Sequence, residues 1–135
     1  LIHIERIQSS NPKPDTKTFV LFLPLNEIHD IGLLFINYEL LSRGYHTIYL
    51  GESVPIEDLN LLNAIYEDIT YVSYFTIKPD PEEVEGYLKK LYTEVVKDTT
   101  NSVRLLGTRF IDSKPKKLPK GMKLFKSIKN LVKDL

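Results

Sequence analysis

The chain has 135 residues, 42% of them hydrophobic and 27% charged, with a formal net charge of zero. Such a length and composition describe one ordinary soluble domain, and the zero balance excludes a general electrostatic pull toward nucleic acid or membrane. The absence of cysteine excludes disulfides, thiolate metal sites and a cysteine nucleophile, and a cytoplasmic setting is the expectation.

The balance is uneven along the chain. From Lys114 onward eight lysines face one acid, whereas residues 1–113 hold ten bases against seventeen acids. No apolar run reaches membrane-spanning length, and the start lacks a signal-peptide pattern, so no membrane partner is expected. The chain opens on Leu1. Residues 1–16, with their Ser-Ser-Asn-Pro-Lys-Pro-Asp run, read as a connector from an upstream segment. Residues 17–135 read as the folded domain.

Thr18 to Leu23 is an uninterrupted apolar run, as a strand buried on both faces requires, and Pro24 ends it. A polar loop follows, Glu27-Ile28-His29-Asp30-Ile31-Gly32. Asp30 to Arg43 is predicted as a largely covered helix, stopped by Gly44. His46 to Leu50 is a second strand. Ser53 and Pro55 fit the cap and first position of another helix, which should turn Leu59, Leu62 and Ile65 toward the sheet.

Ile69 to Phe75 is a third strand. Asp80-Pro81-Glu82-Glu83 opens a helix with Val84, Leu88, Leu91 and Val95 at helical spacing. Val103 to Leu106 is a fourth strand, ending at Gly107-Thr108. A Lys- and Pro-rich loop leads to a short strand at Met122–Phe125 and a last helix at Ser127–Leu135. Strands that alternate with helices predict an α/β, flavodoxin-like three-layer sandwich, its parallel five-stranded sheet ordered 2-1-3-4-5.

In that order the ligand-binding switch point lies at the carboxyl ends of the first and third strands. Three turns should meet there: Glu27 to Gly32, Ser73 to Thr76, and Gly107-Thr108. Several chemistries are missing. There is no Walker phosphate loop, no Gly-x-Gly-x-x-Gly after the first strand, and no nucleophile elbow around Ser73. A phosphoryl-accepting receiver would need an aspartate where Ser73 stands. Three histidines without i, i+4 spacing are poor for a bare ion. One histidine beside one acid suits a cofactor that brings its own equatorial ligands.

The ordered series Glu27-x-His29-x-x-Gly32-Leu33-Leu34, Arg43-Gly44-Tyr45, Tyr49-Leu50-Gly51 and Pro55-x-x-x-Leu59 resembles the light-sensing cobalamin-binding domain of MerR-family transcriptional regulators. The resemblance covers residues 18 to about 110. It implies that His29 is the lower axial ligand to cobalt, with Glu27 orienting it and Gly32, Ser73, Gly107 and Thr108 around the nucleotide tail. It further implies a non-enzymatic effector domain and photoreceptor. In such regulators adenosylcobalamin in the dark stabilises a DNA-bound homo-oligomer that light loosens, and DNA is contacted only through an N-terminal winged helix. Phe75 and Thr108 depart from the motif, where the family has leucine and a second glycine.

Two alternatives stand beside this reading: a corrinoid carrier domain of a methyltransferase system, and a cofactor-free oligomerisation domain of the same fold. His46 is read as structural, the tyrosines as core and surface aromatics, and Lys123, Lys126 and Lys129 as the wet face of a short helix.

Overall fold

Strand β1, Thr18–Phe22, is buried at every position, and its alternate side chains feed two separate cores. Val20 and Phe22 point to one face of the sheet, and Phe19 and Leu21 to the other. A computed structural model describes residues 17–112, 115 and 117–135; the expected connector at 1–16 lies outside the described residues. Around β1 the sheet runs β2 (His46–Gly51), β1, β3 (Ile69–Tyr74), β4 (Ser102–Leu106) and β5 (Met122–Leu124), giving order 2-1-3-4-5 with every pair parallel. This is the flavodoxin-like arrangement that the alternation of strands and helices predicts.

Helices α1 (Ile31–Ser42) and α5 (Ile128–Lys133) cover the Leu21 face. Helices α2 (Ile56–Asn63) and α3 (Val84–Leu91) cover the Val20 face. Val84, Leu88, Leu91 and Val95 are all buried, as their spacing requires. The Pro81–Glu83 turn is 3-10, and Tyr92–Val96 is a π turn that prolongs α3. A four-residue helix α4 (Arg109–Asp112) follows Gly107-Thr108, in a stretch to which the sequence assigned no element. No helix among the described residues is long and apolar enough to cross a membrane.

Several local expectations are corrected. Helix α1 is only half covered: Leu33, Ile36, Asn37, Leu40 and Leu41 are buried, but Ile31 and Phe35 stand in solvent. Its apolar residues surround the axis, and a helix lying on a sheet can hide only one side. Ser53 does not cap α2. It takes a left-handed backbone (φ 54°) and its hydroxyl accepts from the Asn26 N–H, so Pro55 becomes the cap and the helix starts at Ile56. Ile65 falls past the end of α2 and is exposed. Lys123 belongs to β5, not to a helix face; it pairs with Asp134 and sits over the Phe125 ring.

Candidate functional site

Burial continues from the first strand through Leu23 and Pro24, and the chain comes out to solvent at Leu25, at the sheet's carboxyl edge. Asn26 takes a left-handed backbone (φ 70°), which carries Glu27 back inward. The neighbouring β2 turn fixes the segment. Ser53 N–H donates to the Glu27 carbonyl at 3.1 Å, while Ser53 Oγ takes the Asn26 N–H. The result is a loop tied on both sides before any side chain of the site is placed.

Glu27 is 1% exposed. A buried carboxylate is costly unless its oxygens are bonded, and here both are saturated. Oε2 accepts the N–H groups of Ile28 and His29, both at 3.0 Å, and lies 2.7 Å from His29 Nδ1. Oε1 accepts from the loop after β3: Thr76, Ile77 and Lys78 N–H at 3.2, 2.6 and 2.9 Å. Burial alone would push this carboxyl up. The N–H groups of Lys78, Ile77 and His29 and the imidazole outweigh it, holding the pKa near 2 against an ordinary 4.5.

An ionised carboxylate can only accept, so His29 Nδ1 must donate. The neutral imidazole then carries its lone pair on Nε2, the outer nitrogen. The His29 side chain is 53% exposed. It stands beside a cavity of about 290 Å3 lined by Ile28, His29, Asp30, Ile31, Gly32, Tyr74 and Thr76. Leu25, Ile28 and Ile77, on the two loops joined by Glu27, are 52%, 60% and 49% exposed. A basic, tautomer-fixed nitrogen among exposed apolar side chains can bind a metal inside a broad apolar ligand.

The other expected residues divide. Gly32 lies in the cavity, but the ring of Tyr74 covers it: a Cβ at Gly32 would lie 2.8 Å from Tyr74 Cε2. Ser73 is fully buried within β3, and its hydroxyl donates to the Phe22 carbonyl at 2.8 Å. Gly107 (φ 128°) packs its Cα against the Phe75 backbone and also lines a separate cavity of about 660 Å3. Thr108 Oγ1 donates to the Thr76 carbonyl at 3.3 Å. Thus the three turns do meet, through Glu27 on one side and Thr108 on the other.

Asp30 precedes α1 without capping it; its carboxylate accepts from the Tyr49 hydroxyl at 3.4 Å. His46 bonds Thr18 Oγ1 at 3.1 Å and packs on Tyr66, at the opposite edge of the sheet. Sequence reasoning missed Arg109, whose guanidinium donates to the Ile77 carbonyl and steadies the loop that grips Glu27. It also missed that loop's three N–H groups, because backbone donors leave no mark in residue identity.

Fold and site together define a flavodoxin-like α/β domain with a carboxylate-supported histidine at its switch point. Solved structures that share this fold include two cobalamin- or corrinoid-binding proteins. One is a monomethylamine corrinoid protein of Methanosarcina barkeri, with TM-score 0.73 and 15% identity, covering 98% of this chain and 62% of that one. The other is a cobalamin-binding protein from Desulfitobacterium hafniense DCB-2, with TM-score 0.64 and 14% identity, covering 89% and 58%. The chain thus spans roughly three-fifths of either protein's length. No protein-family model matches the sequence, and no curated protein does.

Proposed function

We propose that this domain binds a corrinoid, with His29 Nε2 as the lower axial ligand to cobalt and Glu27 as the group that fixes its tautomer. The observation that carries this reading is the 2.7 Å contact between Glu27 Oε2 and His29 Nδ1, made by a carboxylate otherwise held by five backbone N–H groups. Metal-bound imidazoles characteristically donate their second N–H to a carboxylate, which raises ligand basicity and locks the ring. The exposed Leu25, Ile28 and Ile77 side chains supply apolar surface for a macrocycle's face. When bound, the corrinoid would supply an organometallic cobalt centre. The chain's own work would be to hold the nitrogen in place and, through Glu27, to keep the Nδ1–H tautomer that leaves the Nε2 lone pair facing outward.

The primary use we assign is sensory: the cobalamin-responsive effector domain of a MerR-like regulator, binding adenosylcobalamin and controlling oligomerisation. DNA would be contacted by a winged helix elsewhere in the protein. The ordered motif series from Glu27 to Leu59 supports this. A second reading, a carrier domain that presents a corrinoid to a methyltransferase, is favoured by the fold shared with the Methanosarcina barkeri corrinoid protein over 98% of this chain.

Titration with hydroxocobalamin, followed by its visible spectrum, tests the common claim. Wild type should shift the spectrum to a histidine-ligated form and His29→Ala should not; identical spectra for the two would overturn the assignment. Mobility shift of operator DNA by the full-length protein, with and without adenosylcobalamin, separates sensor from carrier.

A further inference from the structure

One side chain separates the two cavities that flank the site. Tyr74, the last residue of β3, lines the 290 Å3 cavity beside His29 and also the 660 Å3 cavity bounded by Leu106, Gly107, Thr108 and Phe125. Its ring lies flat enough on Gly32 that a methyl group there would approach three of its atoms within 3.1 Å. The ring is half-buried and packs against the core beneath α1. The smaller cavity is at the low end of what holds a small molecule, whereas the two joined would match an elongated ligand. Tyr74 is shared by the linings of both cavities, and an aromatic side chain has other staggered χ1 positions in principle.

We propose that Tyr74 is a specificity-determining gate. Closed, it admits to His29 a flat macrocycle with no long appendage beneath; open, it lets a tail pass from the His29 cavity into the Gly107 cavity. This rests on the corrinoid reading above, and it adds which corrinoids the site takes. A tail-bearing ligand pays for the population of the open state, so its apparent affinity falls by the fraction of molecules in which the gate is open. A tail-less ligand does not. Gly32 matters here as the residue that gives the closed ring its seat.

The test compares hydroxocobalamin, which has a nucleotide tail, with diaquacobinamide, which has none, on wild type, Tyr74→Leu and Tyr74→Phe. Leucine keeps apolar packing without the ring; phenylalanine keeps the ring without the hydroxyl. Tyr74→Leu should tighten hydroxocobalamin about tenfold, the gain for a gate open roughly a tenth of the time, and leave cobinamide unchanged. Tyr74→Phe should behave as wild type. If Tyr74→Leu shifts both corrinoids by the same factor, or shifts neither while both still bind through His29, the gate is wrong and the corrinoid reading stands. If neither corrinoid binds any of the three proteins, with circular dichroism showing each folded, the corrinoid reading fails and the gate with it.

Discussion

Glu27 and His29 are two residues apart in sequence and 2.7 Å apart at Oε2 and Nδ1, yet the carboxylate belongs equally to a loop fifty residues away. One group therefore orients the imidazole and fastens the β3 loop beneath it. Glu27→Gln separates these effects poorly but diagnostically. An amide has one acceptor and one donor, and the donor would face N–H groups that need an acceptor. Equilibrium urea unfolding should show a loss of about 2–3 kcal/mol, and corrinoid affinity should drop by about 10–100-fold. Unchanged affinity in folded Glu27→Gln would show that the carboxylate does not support the ligand.

Acid should expose the same group. The Glu27 pKa is lowered from 4.5 to about 2, so the native state favours its ionised form more than the unfolded chain does. The resulting stability is complete above the unfolded value of 4.5 and is lost as pH falls toward about 2. Its size is on the order of 3 kcal/mol. Urea unfolding between pH 6 and pH 2 should show a steeper decline in wild type than in Glu27→Gln; parallel curves would contradict the account.

With cobalt on His29 Nε2 as proposed, a proton and the metal would compete for the same lone pair. Lowering the pH of the loaded protein should therefore give a base-off spectrum before the fold is lost. Visible absorption and far-ultraviolet circular dichroism on one sample compare the two events. A spectrum that holds until unfolding would count against an imidazole ligand.

Two glycines give opposite expectations. At Gly107 a Cβ would lie 2.0 Å from the Phe75 carbonyl oxygen on a φ of 128°, so Gly107→Ala should cost about 3 kcal/mol or more. At Gly86, in the interior of α3, a Cβ meets nothing within 4 Å; Gly86→Ala should add about 0.5–1 kcal/mol. Thermal unfolding of the two variants checks both signs.

Ser73→Ala removes the donor to the Phe22 carbonyl between β3 and β1, at a cost of about 1–3 kcal/mol. Chemical denaturation measures this loss. With the hydroxyl committed to the sheet, corrinoid affinity should be unchanged. A selective loss of hydroxocobalamin binding would restore Ser73 to the site.

How much of this was legible depended on the kind of signal. The continuous apolar run 18–23 and the helical spacing of Val84, Leu88, Leu91 and Val95 are long-range patterns, and the alternation they belong to gave the sheet order. Convergence of the Glu27, Thr76 and Thr108 turns followed from that order. The Glu27–His29 pairing was within reach because a two-residue separation limits the geometry. Other features depend on contacts that residue identity does not encode: the three N–H groups at 76–78, the left-handed Ser53 that displaced a plausible cap, and the Tyr74 ring over Gly32. Exposure of Ile31 and Phe35 was hidden for another reason, since an all-round apolar helix does not reveal which side meets the sheet.

The most direct measurement is electron paramagnetic resonance of the cobalt(II) form bound to protein labelled with 15N-histidine. An axial His29 nitrogen splits each cobalt line into three when it is 14N and into two when it is 15N. The account predicts that labelling the protein converts triplets to doublets, and that His29→Ala abolishes this change. Triplets that persist in the labelled protein would mean that the axial nitrogen belongs to the cofactor's own base, and His29 would not be the ligand.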